Sequence, residues 1–331
     1  MTTRQDIVRR ILKDRKGGPS GTGEAFAPSN IALCKYWGKR DEELNLPVTS
    51  SLSISLGRFG SRVTIAPCSG RDQFSLNGKP LDEDSSFSRR AQAFLDLFRP
   101  HPAYRFKLDA FNTIPTAAGF ASSASGFAAV VMALDRLFGW SLSARETSIL
   151  ARLGSGSASR SITRGFVEWH AGKDEDGMDS FAELLEAEWP ELRVGLMVIC
   201  AEEKKVGSRA GMKQTVQTST LYASWPAQVE QDLAALKRAL REKDFYLLGR
   251  TAEANALAMH ATMIATWPPV LYWKPESVQA MRAIWKLREE GLPVYFTMDA
   301  GPNLKLLFTE DKAPDIARAF PEVQIVDPWE K

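Results

Sequence analysis

Apolar and polar positions along this chain alternate with two periods, one typical of β-strands and one typical of α-helices. Strands are predicted where short apolar runs occur, at residues 62–65, 73–76, 106–111, 195–201, 294–297 and 304–308. Residues 125–138 have apolar positions at helical spacing followed by Gly139 as a stop, and 229–240 and 277–287 share this amphipathic pattern. Asn77-Gly78 favours a hairpin turn, because both residues tolerate positive φ. This succession of strands and helices predicts a mixed α and β fold.

The start of the chain has a different pattern. The apolar residues between Ile7 and Leu12 share one helical face among basic residues, and a glycine-rich stretch follows at 17–21. One interpretation is a membrane-surface or targeting helix. Asp6 and Asp14 favour the other interpretation, a frayed extension that docks on its own protein. Residues 1–23 are therefore treated as an extension and linker, and their removal is predicted to leave the activity largely intact.

Composition narrows the classes of partner and compartment. The 42 basic and 40 acidic side chains almost cancel to a net charge of +2, which disfavours a nucleic-acid binder but allows a small anionic substrate. The three cysteines are scattered, as expected for a reducing, cytoplasmic location, and the three histidines form no cluster typical of zinc or iron. No apolar run approaches the length of a membrane span.

A stretch of mostly small residues, 115–125, separates a predicted strand from the strongly periodic helix. Small residues let a ligand approach the main chain, and the free N–H groups at a helix start attract phosphate. Ser122 and Ser123 add hydroxyl groups that can bind a phosphate or its cation. The alternative is an ordinary serine-capped helix. The stretch is not a Walker A loop, because no Gly-Lys-Ser/Thr ends it.

Four further segments carry polar groups suited to an anionic substrate. Residues 154–161 combine glycine, serine hydroxyls and Arg160, which can grip a carboxylate or phosphate with two nitrogens. Residues 35–40 concentrate cations and a phenol, and residues 204–212 place charges directly after a predicted strand. Asp299 follows an apolar strand and precedes a forced turn. Taken singly, residues 154–161 and 204–212 are equally compatible with a flexible or solvated loop, residues 35–40 favour a solvated basic turn, and Asp299 is compatible with a simple turn aspartate.

Together these stretches resemble the diphosphomevalonate decarboxylase family of the GHMP small-molecule kinase superfamily, and the bacterial members most of all. The resemblance runs from about Ala25 to near the C-terminus. The motifs that carry it are Ala27-Pro-Ser-Asn-Ile-Ala, Lys35-Tyr-Trp-Gly-Lys, Pro115-Thr-Ala-Ala-Gly, Gly154-Ser-Gly-Ser-Ala, Phe166-Val-Glu-Trp, Met259-His-Ala-Thr and Met298-Asp-Ala-Gly-Pro-Asn.

The resemblance implies a two-domain α/β (α+β) fold of the GHMP kinase type with the active site in the inter-domain cleft. The expected domains are an ATP-binding domain at 24–190 and a C-terminal domain at 191–331 that carries the catalytic aspartate. It also implies that ATP phosphorylates the tertiary hydroxyl of 5-diphosphomevalonate, and that loss of phosphate then drives decarboxylation to isopentenyl diphosphate. Mg²⁺ is the expected metal and a cytoplasmic homodimer the expected form. Neither a membrane nor nucleic acid is an expected partner.

The resemblance also assigns roles to individual residues. Asp299 is expected to activate or orient the tertiary hydroxyl, Arg160 to hold the substrate carboxylate, and Lys39 to keep Asp299 ionised. The positions assigned to the substrate are Asn30, Tyr36, Trp37, Gly38, Lys39, Arg71, Ser155, Gly156, Ser157, Ala158, Ser159, Arg160, Ser208 and Arg209. Those assigned to ATP are Gly119, Ala121, Ser122, Ser123, Lys204 and Lys205, and Ser123 is also the candidate Mg²⁺ ligand.

Three positions depart from the family pattern and bear on substrate detail. Ser159 stands where many relatives carry cysteine, Gly207 where many carry serine, and Thr49 where asparagine is frequent. Two other functions stay open at this point. One is a related kinase of mevalonate-type alcohols, or a decarboxylase that uses the monophosphate. The other is a nucleotide-binding regulatory protein without catalysis.

Overall fold

The computed structural model describes residues 2–15, 17–113, 122–202 and 204–330. The helices in this part are α1 (Arg4–Leu12), α2 (Ser86–Leu95), α3 (Ser122–Phe138), α4 (Ala144–Gly154), α5 (Ser208–Thr218), α6 (Trp225–Glu242), α7 (Phe245–Ile264), α8 (Pro275–Glu289) and α9 (Ala313–Ala319). The strands are β1 (Gly23–Cys34), β2 (Lys39–Asp41), β3 (Leu46–Pro47), β4 (Ser51–Pro67), β5 (Gln73–Leu76), β6 (Lys79–Pro80), β7 (Phe106–Asn112), β8 (Phe166–Trp169), β9 (Ala182–Leu184), β10 (Leu192–Met197), β11 (Tyr295–Met298), β12 (Leu304–Thr309) and β13 (Gln324–Val326). The mixed class predicted from the sequence is confirmed.

Two sheets organise these elements. The larger sheet has the order β6-β5-β7-β4-β8-β9, and β1 also pairs with β4. The long strand β4 is its backbone, because its two ends pair with different strands, β8 near Ser51 and β7 near Pro67. The second sheet has the order β11-β12-β10-β13. A short β2–β3 hairpin stands apart from both sheets.

One core cluster joins the two sheets. It contains Ile31 and Leu52 of the larger sheet, Leu248 and Met263 of α7, and Leu307 of the second sheet, all of which are fully buried. Buried residues occur all round α7, which explains why its sequence has no amphipathic stripe to predict it. The end of β1 and the β11–β12 turn are thereby held close together.

One predicted strand is displaced. Residues 195–201 were expected to be extended, but β10 begins at Leu192, where it pairs with Thr309, and ends at Met197. Beyond that point the main-chain N–H groups of Ile199 and Cys200 donate to the Oδ1 of Asn303, at 2.7 and 2.9 Å. A side chain thus takes the place of a neighbouring strand and ends the ladder.

The N-terminal extension docks on the chain instead of fraying. A capping box between Thr3 and Asp6 starts α1, and Ile7 and Val8 are 0% and 3% exposed in the core of the larger sheet. Arg10 forms an ion pair with Asp176, which lies far away in the sequence. No helix within the described ranges has the length and hydropathy needed to cross a membrane.

Candidate active site

Asp299 lies directly after β11, in the turn that leads into β12. The Nζ of Lys35 is 2.9 Å from its Oδ1, and the Nζ of Lys305 is 3.1 Å from its Oδ2. Both lysine side chains are almost fully buried, at 2% and 4% exposed, whereas the Asp299 side chain is 36% exposed. Two cations therefore hold this carboxylate from inside the protein while it stays accessible to a ligand.

The charges around Asp299 keep it ionised. Burial on its own raises the pKa of this carboxyl, but the ammonium groups of Lys305 and Lys35 outweigh burial and hold the pKa well below its usual range. Burial also lowers the pKa of Lys35 to about 8, against the opposing charge of Asp299. Lys39 was expected to keep Asp299 ionised, but its Nζ donates to Oδ1 of Asn45 at 2.6 Å, and the cations that lower the pKa of Asp299 are Lys305 and Lys35.

Sequence reasoning missed Lys35 and Lys305 as partners of Asp299. Lys35 directly follows β1, and its main-chain N–H donates to Oδ1 of Asn255 in α7 at 2.8 Å. Lys305 is the second residue of β12. A lysine within the otherwise apolar run of β12 was the available signal, because a buried amine requires an acceptor.

Contacts to the main chain position the turn that carries Asp299. Nε2 of His260 is 3.1 Å from the main-chain oxygen of Asp299, and since a carbonyl can only accept, the histidine donates. Burial lowers the pKa of His260 to about 3, so the ring is neutral at physiological pH. The Nζ of Lys204 donates to the Ala300 carbonyl and to Oγ of Ser208, both at 2.8 Å. Lys204 and Ser208, assigned to different ligands by the resemblance, thus meet beside Asp299.

Arg160 ends a short 3₁₀ helix, Gly156–Arg160, that follows α4. The side chain is buried, and Nη1 donates to Oγ of Ser51 at 2.6 Å while Nη2 donates to Oδ1 of Asn30 at 3.4 Å. Burial lowers the pKa of Arg160 to about 10, which still leaves it charged at neutral pH. The negative charge of Asp299 raises this pKa, so the carboxylate and the guanidinium interact electrostatically.

Two buried polar atoms, one in Arg160 and one in Tyr36, have no hydrogen-bond partner in the described part of the chain. Within the described residues, Nε of Arg160 and Oη of Tyr36 form no hydrogen bond. Burial raises the pKa of Tyr36, so its phenol stays protonated and can donate to an anion. Buried polar groups are normally paired, and unpaired ones at one place indicate where a ligand supplies the missing partner.

Glycine at position 156 is required by the position of Tyr36. A Cβ at Gly156 would lie 2.8 Å from both Oη and a ring carbon of Tyr36. The tyrosine ring packs edge-on against Trp169, with 4.8 Å between ring centroids. Ser155 and Ser157 flank this glycine, and their Oγ atoms are 3.5 Å apart. The residue between these two serines therefore packs against Tyr36, and the role of the segment as a substrate clamp stays a prediction.

A basic cavity of about 230 Å³ lies beside α5 and the β2–β3 hairpin. Its cations are Lys39 of the hairpin, Arg209 and Lys213 of α5, and Arg4 of α1. Burial, and after it the charge of Arg209, lowers the pKa of Lys39 to about 8. Nη2 of Arg209 donates to the Gly154 carbonyl at 2.7 Å, which ties α5 to the end of α4. Glu42 and Glu43 also line the cavity, so four cations face two carboxylates and the net positive charge suits an anion.

A second cavity, mostly apolar and about 160 Å³, lies at the start of α3. Phe87 and Phe127 line it, together with Arg90 and the exposed Ser123. Ser122 is the first residue of α3, as predicted. The other residues predicted for this loop, Gly119 and Ala121, lie outside the described residues.

Several predicted site residues lie elsewhere or face inwards. Arg71 is on an exposed turn, where it pairs with Glu83 at 2.8 Å, and shares no contact with the other predicted diphosphate residues. The Trp37 ring is in the core that joins the two sheets. Ala158 lies in the core of the larger sheet, and Oγ of Ser159 donates to the Gly156 carbonyl at 2.8 Å. Gly38 lies against Tyr222 with φ +111°, and Lys205 is on the surface.

Comparisons with known proteins matched the segments that form both sheets. Residues 27–182 match the diphosphomevalonate decarboxylase-like N-terminal domain, and residues 194–328 match the mevalonate 5-diphosphate decarboxylase C-terminal domain. The diphosphomevalonate decarboxylase of Aspergillus fumigatus is 40% identical over 315 residues, which cover 88% of this chain and 78% of that protein.

Solved structures agree with this match. Mevalonate diphosphate decarboxylase from Staphylococcus aureus has a TM-score of 0.87 and 38% identity over 93% of this chain and 95% of that one. A complex of MDDEF with MVAPP, AMPPCP and magnesium has a TM-score of 0.86 and 42% identity over 93% and 96%. Identity to fungal and bacterial relatives is similar, so the bacterial type stays a prediction. The two-domain GHMP kinase-like fold is confirmed, and the chain belongs to the diphosphomevalonate decarboxylase family.

Proposed function

The function of this chain is the ATP-dependent decarboxylation of 5-diphosphomevalonate, and we propose which residues of the site carry out each part of this reaction. The observation that carries the proposal is the accessible Asp299 carboxylate between Lys35 and Lys305, in one electrostatic environment with Arg160. In the reaction the tertiary hydroxyl takes the γ-phosphoryl group of ATP and inorganic phosphate then leaves. The electron pair of the bond to the carboxylate forms the new carbon–carbon double bond as carbon dioxide departs.

Asp299 orients the hydroxyl and offsets positive charge in this proposal. Effective general bases have a pKa near the working pH, whereas the pKa of Asp299 is held well below the ordinary carboxyl range. Because Asp299 is a weak base, we assign it the role of a hydrogen-bond acceptor that aligns the hydroxyl, and not the role of a general base that removes the proton. The same charge stabilises the electron-deficient carbon that forms when phosphate leaves.

Arg160 is the group best placed to hold the substrate carboxylate. Its guanidinium is buried, charged and fixed by Ser51 and Asn30, and its Nε has no partner among the described residues. A carboxylate that is bound in this way is aligned for the departure of carbon dioxide. The partnerless Oη of Tyr36 adds a neutral donor beside it.

The diphosphate fits the basic cavity, where Lys39 and Arg209 supply positive charge. This cavity and the apolar cavity at α3 share no lining residue, so each can take one of the two phosphorylated ligands. We expect the adenine ring between Phe87 and Phe127 in that second cavity, and the ATP phosphates at the start of α3. Lys204 lies between Ala300 and α5, where it can approach the transferred phosphoryl group.

Mg²⁺ fits this arrangement as a companion of the ATP phosphates. In the described residues no group of three or more His, Cys, Asp or Glu side chains is arranged to hold a metal. The hydroxyl of Ser123, exposed at the start of α3, is the donor we assign to it, with phosphate oxygens and water as the other ligands. When bound, the ion neutralises charge on the transferring phosphoryl group.

Product analysis tests the function against its alternatives. The enzyme is incubated with ATP and carboxyl-labelled 5-diphosphomevalonate, and carbon dioxide, ADP and isopentenyl diphosphate are followed together. We expect all three in equal amounts. A kinase would form ADP without carbon dioxide, a monophosphate decarboxylase would prefer the monophosphate, and a regulatory protein would show no substrate-dependent ATP turnover.

A cytoplasmic homodimer is the further part of this proposal. All three cysteines are free thiols, which fits a reducing compartment. Trp267 and Leu271, in the segment after α7, are 79% and 61% exposed, and burial of these apolar side chains by a second copy supports the dimer. Sedimentation equilibrium should give twice the chain mass, and Trp267→Ser should shift the equilibrium towards the monomer. A monomer at all concentrations would refute the dimer.

A further inference from the structure

We propose that the N-terminal helix α1 is part of the substrate-diphosphate site, and that Arg4 is a further cation for the phosphates. The inference rests on the proposed function, because it extends the same site. The matched family models begin at residue 27, so they assign no role to this helix. Nothing in its sequence resembles a substrate-binding motif.

The first observation is the position of Arg4 in the wall of the basic cavity. Arg4, Lys39 and Arg209 line the cavity from three segments that are distant in sequence, and the carboxylates of Glu42 and Glu43 line it as well. The charge of Arg4 contributes to lowering the pKa of Lys39, as expected for two cations that face one volume. An entering diphosphate would relieve this repulsion, and each cation would gain from its charge.

The second observation is how Arg4 is held. Its Nε donates to Oε1 of Glu43 at 3.0 Å, and its Nη2 donates to Oε2 at 3.4 Å. This leaves Nη1 without a hydrogen-bond partner in the described part of the chain, so the guanidinium can keep Glu43 and still contact a phosphate. The side chains of Arg4 and Glu43 are 38% and 50% exposed, so solvent and ligand can reach them.

The third observation is that α1 could leave this position only by exposing buried apolar side chains to water. Ile7 is fully buried and Val8 nearly so, in the same cluster as Leu44 and Leu46. These two leucines belong to the hairpin segment that carries Lys39, whose Nζ is bound by Asn45. Burial of α1 in this cluster and the hydrogen bonds from Arg4 to Glu43 together hold Arg4 relative to Lys39, and a pre-positioned cation loses little entropy when it binds an anion.

Arg4→Gln and Arg10→Gln form a matched pair of variants. Both arginines are on α1 and both form an ion pair, but Arg10 pairs with Asp176 and does not line the cavity. We expect Arg4→Gln to raise KM for 5-diphosphomevalonate about fivefold, near the upper end for one partly exposed charge. The value of kcat and KM for ATP should stay near those of the wild type, and Arg4→Lys should recover part of the loss. Arg10→Gln should match the wild type in every constant.

Calorimetric titration with inorganic pyrophosphate gives a readout that does not need turnover. Arg4→Gln should bind pyrophosphate more weakly than Arg10→Gln, with a smaller dependence on salt. Equal KM and equal pyrophosphate affinity in the two variants, with intact thermal unfolding, would overturn the inference while the proposed function stands. Absence of carbon dioxide release by the wild type would refute the proposed function, and the pyrophosphate titration would still decide the role of Arg4.

Discussion

Asp299→Asn removes one charge from the centre of the site and keeps its shape. The change removes the carboxylate charge that faces the almost fully buried ammonium groups of Lys35 and Lys305. Removing one partner of a fully buried ion pair costs about 3–5 kcal/mol of folding free energy. Because the Asp299 side chain is 36% exposed, water offsets part of this, and we expect a loss of about 1–3 kcal/mol. Turnover should fall by at least ~10²-fold, since alignment and charge stabilisation are both lost.

The assay separates the chemical role from the structural one. Steady-state release of ADP and carbon dioxide gives turnover, calorimetry gives the affinity for each ligand, and thermal unfolding gives stability. In the proposed arrangement the phosphates are held elsewhere, by the basic cavity and the start of α3, so both ligands should still bind. A double variant, Asp299→Asn with Lys35→Met, removes one unpaired cation and should recover stability but not turnover.

Two results would refute this reasoning. Near-normal turnover of Asp299→Asn would remove the carboxylate from the chemistry. Recovery of turnover in the double variant would show that Asp299 only balances the charge of Lys35, and that the chemical group lies elsewhere.

Three further changes test other parts of the site. Arg160→Lys should lower kcat/KM substantially while the fold survives, because a point charge cannot replace a fixed guanidinium, and wild-type kinetics would exclude Arg160 from the site. The pKa of Lys39 is lowered to about 8, so the residue is charged below that pH and neutral above it. The value of kcat/KM for 5-diphosphomevalonate should therefore decline above about pH 8, and Lys39→Arg should move this decline upwards, which a pH series will check. Deletion of residues 1–22, which was predicted from the sequence to leave the activity largely intact, should lower the unfolding temperature, because burial of side chains such as Ile7 and Val8 contributes about 1.5–3 kcal/mol each. An unchanged melting curve would show that α1 contributes nothing to the fold.

Local pattern determined a large share of this protein. The helix α3, its stop at Gly139 and the turn at Asn77-Gly78 were predicted because each depends on neighbouring residues alone, and both turn residues have positive φ. The motifs likewise indicated the family, which the comparisons confirm over both halves of the chain. The strand and turn around Asp299 are also encoded within a few residues, whereas its catalytic role was predicted from the family resemblance of the motif Met298-Asp-Ala-Gly-Pro-Asn.

Tertiary structure decided which groups meet. Lys35 and Asp299 are 264 positions apart, and only the packing of β1 against α7 and the β11–β12 turn makes them an ion pair. Helix α7 was not predicted, because a helix buried on all sides carries no periodic contrast between apolar and polar positions. Arg4 became a candidate ligand of the substrate because the apolar face of α1 docks beside the hairpin of Lys39. Charge and burial at this site depend on such distant contacts, which spacing along the chain does not encode.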